Sequence, residues 1–119
     1  TDTGSMKVST PEATAFDLVR FAPAAGHLSN VATVLGELAE TIDPATLATL
    51  ASSYAVPVTQ RLGYLLDLLG EGELAESLAE ALVGRRCRTI LLLPGQAMGH
   101  DPPHPRWRVI PNERVEVDL

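Results

Sequence analysis

The sequence predicts an α+β domain of about five helices followed by a small antiparallel sheet formed mainly by the C-terminal strands. Three observations lead there. Between Pro11 and Gly84, apolar residues recur three and four positions apart in five stretches, each bounded by a capping residue, a proline or a glycine. After Arg85 the period changes, and Thr89 to Leu93 is a short apolar run closed by Pro94-Gly95, as expected of a strand buried on both faces. Finally, Arg106 to Ile110 and Arg114 to Leu119 alternate polar and apolar residues across the turn signal Pro111-Asn112.

The helix from Pro57 to Gly70 is the expected centre of the domain. Val58, Leu62, Leu65, Leu66 and Leu69 line one side, and each buried leucine contributes roughly 1.5–3 kcal/mol. Pro57 suits the first helical position, and Gly70 suits a left-handed stop. Leu68 adds apolar surface off the main stripe, which predicts contacts on more than one side. Arg61 and Tyr64 interrupt the stripe, either as rim residues with buried stems or as partner contacts.

The other elements follow in chain order. Lys7-Val8-Ser9 reads as a short extended entry. The first helix starts either with Ser9 as cap and Glu12 answering it, or with Thr10 as cap and Pro11 in the first turn. It carries Ala15, Phe16, Leu18, Val19 and Phe21, and Pro23 with Gly26 ends it. Ser29 or Asn30 caps the second helix, whose stripe is Val31, Val34, Leu35, Leu38 and Ile42. Asp43-Pro44 is a cap with a first-position proline, opening a short third helix with Leu47, Leu50 and Ala51. A fifth helix spans Glu73 to Val83, with Leu74, Leu78, Ala81 and Leu82 inward and Gly84 closing it. Gly95 to Pro105 is a loop, and Trp107, Val109, Val115, Val117 and Leu119 fall on the covered side of the C-terminal strand pair.

Composition narrows the function classes. The 119 residues are enough for one core without disulfide staples. No apolar run approaches the length of about eighteen residues needed to span a membrane. The single Cys87 cannot form an internal disulfide, which suits a reducing cytoplasm. Residues 1–84 carry a net charge of −8 and residues 85–119 a net charge of +2. Such a body disfavours non-specific binding to nucleic acid, and a basic patch could come only from Arg85, Arg86, Arg88, Arg106, Arg108 and Arg114.

No constellation of catalytic residues stands out. His100 and His104 are four apart, but Pro102, Pro103 and Pro105 forbid the helix that would put both rings on one face, so no metal site is expected. His27 reads as a turn residue. Cys87, between Arg86 and Arg88, reads as a half-buried thiol at a strand start. Glu12 reads as a first-turn acid favoured by the helix dipole. No phosphate loop, serine elbow or cysteine–histidine signature is present, so neither an enzyme nor a cofactor is expected. Arg106, Trp107 and Arg108 form the most partner-like cluster, with Trp107 alternatively a core anchor of the sheet. The expected partner contacts are Arg61, Tyr64, Arg106 and Arg108.

Three blocks carry a family resemblance: VSTPEATAFDLVRF from Val8, QRLGYLLDLLG from Gln60 and RWRVIPNERVEVDL from Arg106. In this order they resemble the C-terminal domain of AbiEi-type antitoxins. The resemblance implies part of a two-domain regulator from a bacterial type IV toxin–antitoxin system of the abortive-infection kind. In such a protein an N-terminal winged helix-turn-helix binds the promoter. The C-terminal domain carries antitoxin activity against a nucleotidyltransferase-like toxin and supports cooperative autorepression, generally without a stable complex with the toxin. Ala13 departs from the arginine that many relatives place after the glutamate. Residues 1–6 read as a tag or cloning remnant and residues 7–119 as the domain, with the winged helix absent from this chain, so no nucleic-acid binding is expected of it. An unpaired edge at Lys7-Val8-Ser9 would allow a homodimer. The rival reading is an oligomerisation module of a regulator with no antitoxin activity of its own.

Overall fold

The computed structural model describes residues 10–20, 28–92 and 102–111. The five expected helices are present: α1 (Pro11–Arg20), α2 (Leu28–Leu38), α3 (Pro44–Ala51), α4 (Val56–Leu68) and α5 (Gly72–Ala81). A 3-10 turn, Ala39–Thr41, follows α2, and two short strands, β1 (Ile90–Leu91) and β2 (Val109–Ile110), complete the elements among the described residues. None of the described helices is long and apolar enough to cross a membrane.

Local chemistry accounts for the helix ends. Thr10, rather than Ser9, caps α1: its Oγ1 accepts the Ala13 N–H at 3.1 Å, with Pro11 in the first turn. α2 already includes Ser29 and Asn30, so neither is its cap. Asp43 caps α3 by accepting both the Thr46 N–H (2.9 Å) and the Thr46 hydroxyl (2.8 Å). Those two bonds favour the ionised form and hold the Asp43 carboxyl below its ordinary value. α4 begins one residue earlier than the proline signal implied, with Pro57 in second place. It ends as expected, with Gly70 at φ 78°. There the Glu71 N–H reaches the Leu66 carbonyl (2.9 Å) and the Gly70 N–H the Asp67 carbonyl (3.1 Å), so the last carbonyls of the helix are satisfied.

α4 is the centre of the packing. Leu62, Leu65 and Leu66 are fully buried, Leu69 nearly so, and Val58 half-buried. α1 packs against α2, α3 and α4, and α5 packs on α3 and α4. Phe16 of α1 stacks on Tyr54 with ring centroids 4.4 Å apart. Leu68 departs from expectation and is 45 % exposed, because its position on the helix turns between the two faces that meet neighbours. Glu12 does more than favour a helix start. It is buried, and its Oε2 accepts the Asp43 N–H at 2.8 Å, tying the start of α1 to the start of α3.

The sheet corrects the sequence expectation. β1 and β2 run parallel, with Ile90 opposite Val109 and Leu91 opposite Ile110, so the described sheet is neither antiparallel nor built from the C-terminal strands alone. β1 is half-buried rather than covered on both faces, whereas Val109 and Ile110 are buried. The reason lies in residues 104–108. The Arg108 N–H closes on the His104 carbonyl (2.7 Å) and the His104 N–H on the Val109 carbonyl (2.9 Å), while Arg108 adopts φ 56°. A left-handed residue cannot continue an extended run. The alternation from Arg106 to Ile110 is therefore a tight turn followed by two strand residues. Its expected antiparallel partner, Arg114 to Leu119, lies outside the described residues, as do His27, His100 and Lys7-Val8-Ser9.

Candidate functional site

The leucine stripe is one of two working faces on α4. Gln60, Gly63, Tyr64 and Asp67 recur at the same helical spacing on the opposite side, and all four meet the chain after α5. The Gln60 amide, buried, donates to the carbonyls of both Arg88 and Trp107, each at 2.8 Å. A single side chain thus joins α4 to the approach to β1 and to the turn before β2. The amide oxygen of Gln60 and the hydroxyl of its neighbour Thr59 are buried without a hydrogen bond among the described residues.

Trp107 is the plug of this arrangement and is 1 % exposed. Its six-membered ring lies over Gly63 so closely that a Cβ there would overlap it. Glycine inside a helix is unfavourable by about 1 kcal/mol relative to alanine. Here it makes the room the indole needs. The indole Nε1–H donates to Asp67 Oδ2 at 2.8 Å, which satisfies the one polar group the ring would otherwise bury. Trp107 is thus a core anchor, but one seated on a helix rather than in a sheet.

The four residues singled out as contacts fall in different places. Tyr64 is buried, with the His104 ring standing edge-on to it at 5.6 Å. His104 Nδ1 in turn accepts the Arg106 N–H at 3.1 Å. Arg61 is half-buried and donates from Nε to the Leu91 carbonyl at 2.8 Å. Burial pulls its guanidinium below its ordinary value. Arg106 reaches Glu76 of α5 at 2.6 Å and lies 3.6 Å from Asp67, with its guanidinium carbon 5.2 Å from the centre of the Trp107 ring. Arg108 is exposed at the base of the turn, where its N–H closes on the His104 carbonyl. The structure therefore brings Tyr64, Arg106 and Arg108 to one turn, and sets Arg61 against β1.

Gln60, Gly63 and Asp67 were missed in reading the sequence. Their signal was present: a glycine within a strongly periodic helix, flanked at helical spacing by a glutamine, a tyrosine and an aspartate. What could not be read was which distant segment fills that face.

Residues 1–68 match the sequence model of the family described as the AbiEi antitoxin C-terminal domain. That is more than half of the chain. The chain belongs to this family. The matched span contains the described residues of α1 to α4, ending with the last residue of α4. It includes the first resembling block and most of the second, and stops before the third. Comparison with curated proteins and with solved structures returned no match. AbiEi C-terminal domains are antitoxin domains, which gives this chain a toxin–antitoxin role in general terms and implies a toxin as its counterpart. The AbiEi family is not a family of enzymes.

Proposed function

We propose that this AbiEi domain is the antitoxin half of a bacterial type IV regulator, countering a nucleotidyltransferase-like toxin in the cytoplasm, with a winged helix elsewhere in the parent protein reading the promoter. The observation that carries this reading is the family match over the helices up to Leu68. The domain also supports cooperative autorepression through contacts between copies, with a homodimer as the simplest form. It does not itself bind nucleic acid, in keeping with a net charge of −8 over residues 1–84.

The working surface is the turn at residues 104–108 and its seat. Arg106 and Arg108 supply its outward charge. Tyr64, buried, meets the turn from beneath through His104, and half-buried Arg61 holds the adjoining β1 through the Leu91 carbonyl. Expression of residues 7–119 with the toxin is expected to restore growth at least in part. Arg108→Glu is the cleaner reversal, because Arg106 also bridges Glu76 and Asp67. It is expected to abolish rescue with the helical circular-dichroism signal unchanged, and intact rescue would remove Arg108 from the surface. No rescue by a soluble, folded wild-type domain would favour the oligomerisation module instead. Light scattering at several concentrations tests the homodimer, and a gel-shift titration with promoter DNA tests the absence of nucleic-acid binding.

A further inference from the structure

An open depression of about 310 Å³ lies where the end of α5 meets the segments carrying β1 and β2. Aliphatic Ala79, Leu82 and Val83 line it together with Cys87, and three arginines complete it: Arg85, Arg106 and Arg108. In a chain of net charge −6 whose first 84 residues hold only three cations, that is a marked local concentration of positive charge.

The three guanidinium groups are not equivalent. Arg106 is neutralised by Glu76 at 2.6 Å and by Asp67 at 3.6 Å. Arg85 donates from Nη1 to the Ala51 carbonyl at 3.3 Å, a neutral acceptor that leaves its charge uncompensated. The Arg108 side chain makes no hydrogen bond or ion pair among the described residues. Its backbone is nonetheless fixed in place, held at the carbonyl by Ile90 N–H (2.9 Å), at the N–H by the His104 carbonyl (2.7 Å) and by the neighbouring Trp107 lock. Its φ of 56° is a conformation that suits glycine or asparagine. A charged residue held in strained backbone beside a cavity is the kind of outlier from which a binding role is inferred.

We propose that this depression binds a small organic phosphate. The oxyanion sits between Arg85 and Arg108, whose planar forks suit bidentate contact with phosphate oxygens. The apolar part of the ligand rests on Ala79, Leu82 and Val83. A volume near the lower end of the roughly 300–1,000 Å³ of small-molecule sites fits a compact monoester.

The test uses inorganic phosphate and phenyl phosphate as probes, titrated calorimetrically into the tag-free domain. Both are expected to bind saturably, phenyl phosphate about tenfold more tightly because its ring buries apolar surface. Arg108→Gly deletes the charge and relieves the backbone, so its melting temperature is expected to equal or exceed the parent's while affinity falls about tenfold. Arg108→Asn, also at ease in this conformation, and Arg85→Gln are expected to weaken binding likewise. Phenyl phosphate is also expected to slow maleimide labelling of Cys87. Failure of either probe to bind, equal affinity for the two probes, or unchanged affinity in the arginine variants would each overturn the proposal.

Discussion

The helices from Pro11 to Leu68 and the segment from Ile90 to Pro111 are held by different kinds of interaction. The first region rests on apolar stripes meeting one another, with caps at Thr10 and Asp43 satisfying the helix starts. Among its described residues the second has little regular structure of its own, two residues in each strand. It is fastened by one buried indole and by α4 side chains that bond its main-chain carbonyls. The matched family span contains the first region and stops before the second. Repeated leucines at helical spacing are a local and redundant pattern. A turn held by Gln60, Gly63 and Asp67 depends on residues some forty to forty-seven positions away. The difference teaches that the arginine-rich part of the domain is an attachment whose geometry is set by the second face of α4.

The largest expected effect comes from removing the plug. Trp107→Ala is expected to reduce stability by about 3–5 kcal/mol in denaturant melts. It should also speed amide exchange at Val109 and Ile110 much more than in α1 or α3. Equal acceleration everywhere would mean that the two regions form one cooperative unit, erasing the contrast. Leu65→Ala, mid-stripe and fully buried, is expected to cost about 2–5 kcal/mol. Here the helices should weaken at least as much as the turn, and a loss under about 1 kcal/mol would contradict the burial of Leu65.

Gly63→Ala sharpens the comparison because propensity and packing oppose each other. Alanine is the better helix former by about 1 kcal/mol, yet overlap with the Trp107 ring is expected to give a net loss of about 1–3 kcal/mol. Combined with Trp107→Leu, the substitution should be less harmful than alone, so a double-mutant cycle in urea would return a non-zero coupling. Additivity would show that the ring and the glycine do not meet. Asp67→Asn keeps an acceptor for the indole but weakens the partly exposed pair with Arg106, and a change of less than about 1 kcal/mol is expected.

The smallest effect belongs to the first region alone. The Asp43 carboxyl is held below its ordinary value of 3.8 by its bonds from Thr46. Its stabilising contribution is therefore full above that value and is lost as pH falls through the lowered one. Asp43→Asn keeps a capping oxygen without the titration. It should flatten that acid-side decline in melting temperature, with amide exchange in the turn at 104–108 unaffected. An unchanged slope would mean that the bonds from Thr46 do not form in solution.

Much of the first region could be read directly. Five helices, the Asp43-Pro44 start, the stop at Gly70 and the burial of Leu62, Leu65 and Leu66 all follow from neighbours within a few positions, where capping and periodicity act. Glu12 was legible only as a helix-start acid, since its bond to the Asp43 N–H spans thirty-one positions. Of the proposed contact group, Arg106 and Arg108 are chosen by residue type alone. The burial of Tyr64 could not be read, because part of its cover is the distant His104.

By itself, then, the sequence determined the helices, the central place of α4, the charge contrast between the two parts of the chain and the family resemblance in its first block. All are encoded in local spacing and composition. Tertiary structure alone decided that the strands pair in parallel, that Arg106 to Arg108 form a turn instead of a strand, and that Trp107 seats on Gly63. An alternating pattern states that one side of a segment is covered but not by what. Here the cover is the polar face of a helix, and its carboxylate, amide and missing Cβ draw the chain into a conformation that local propensity would not select.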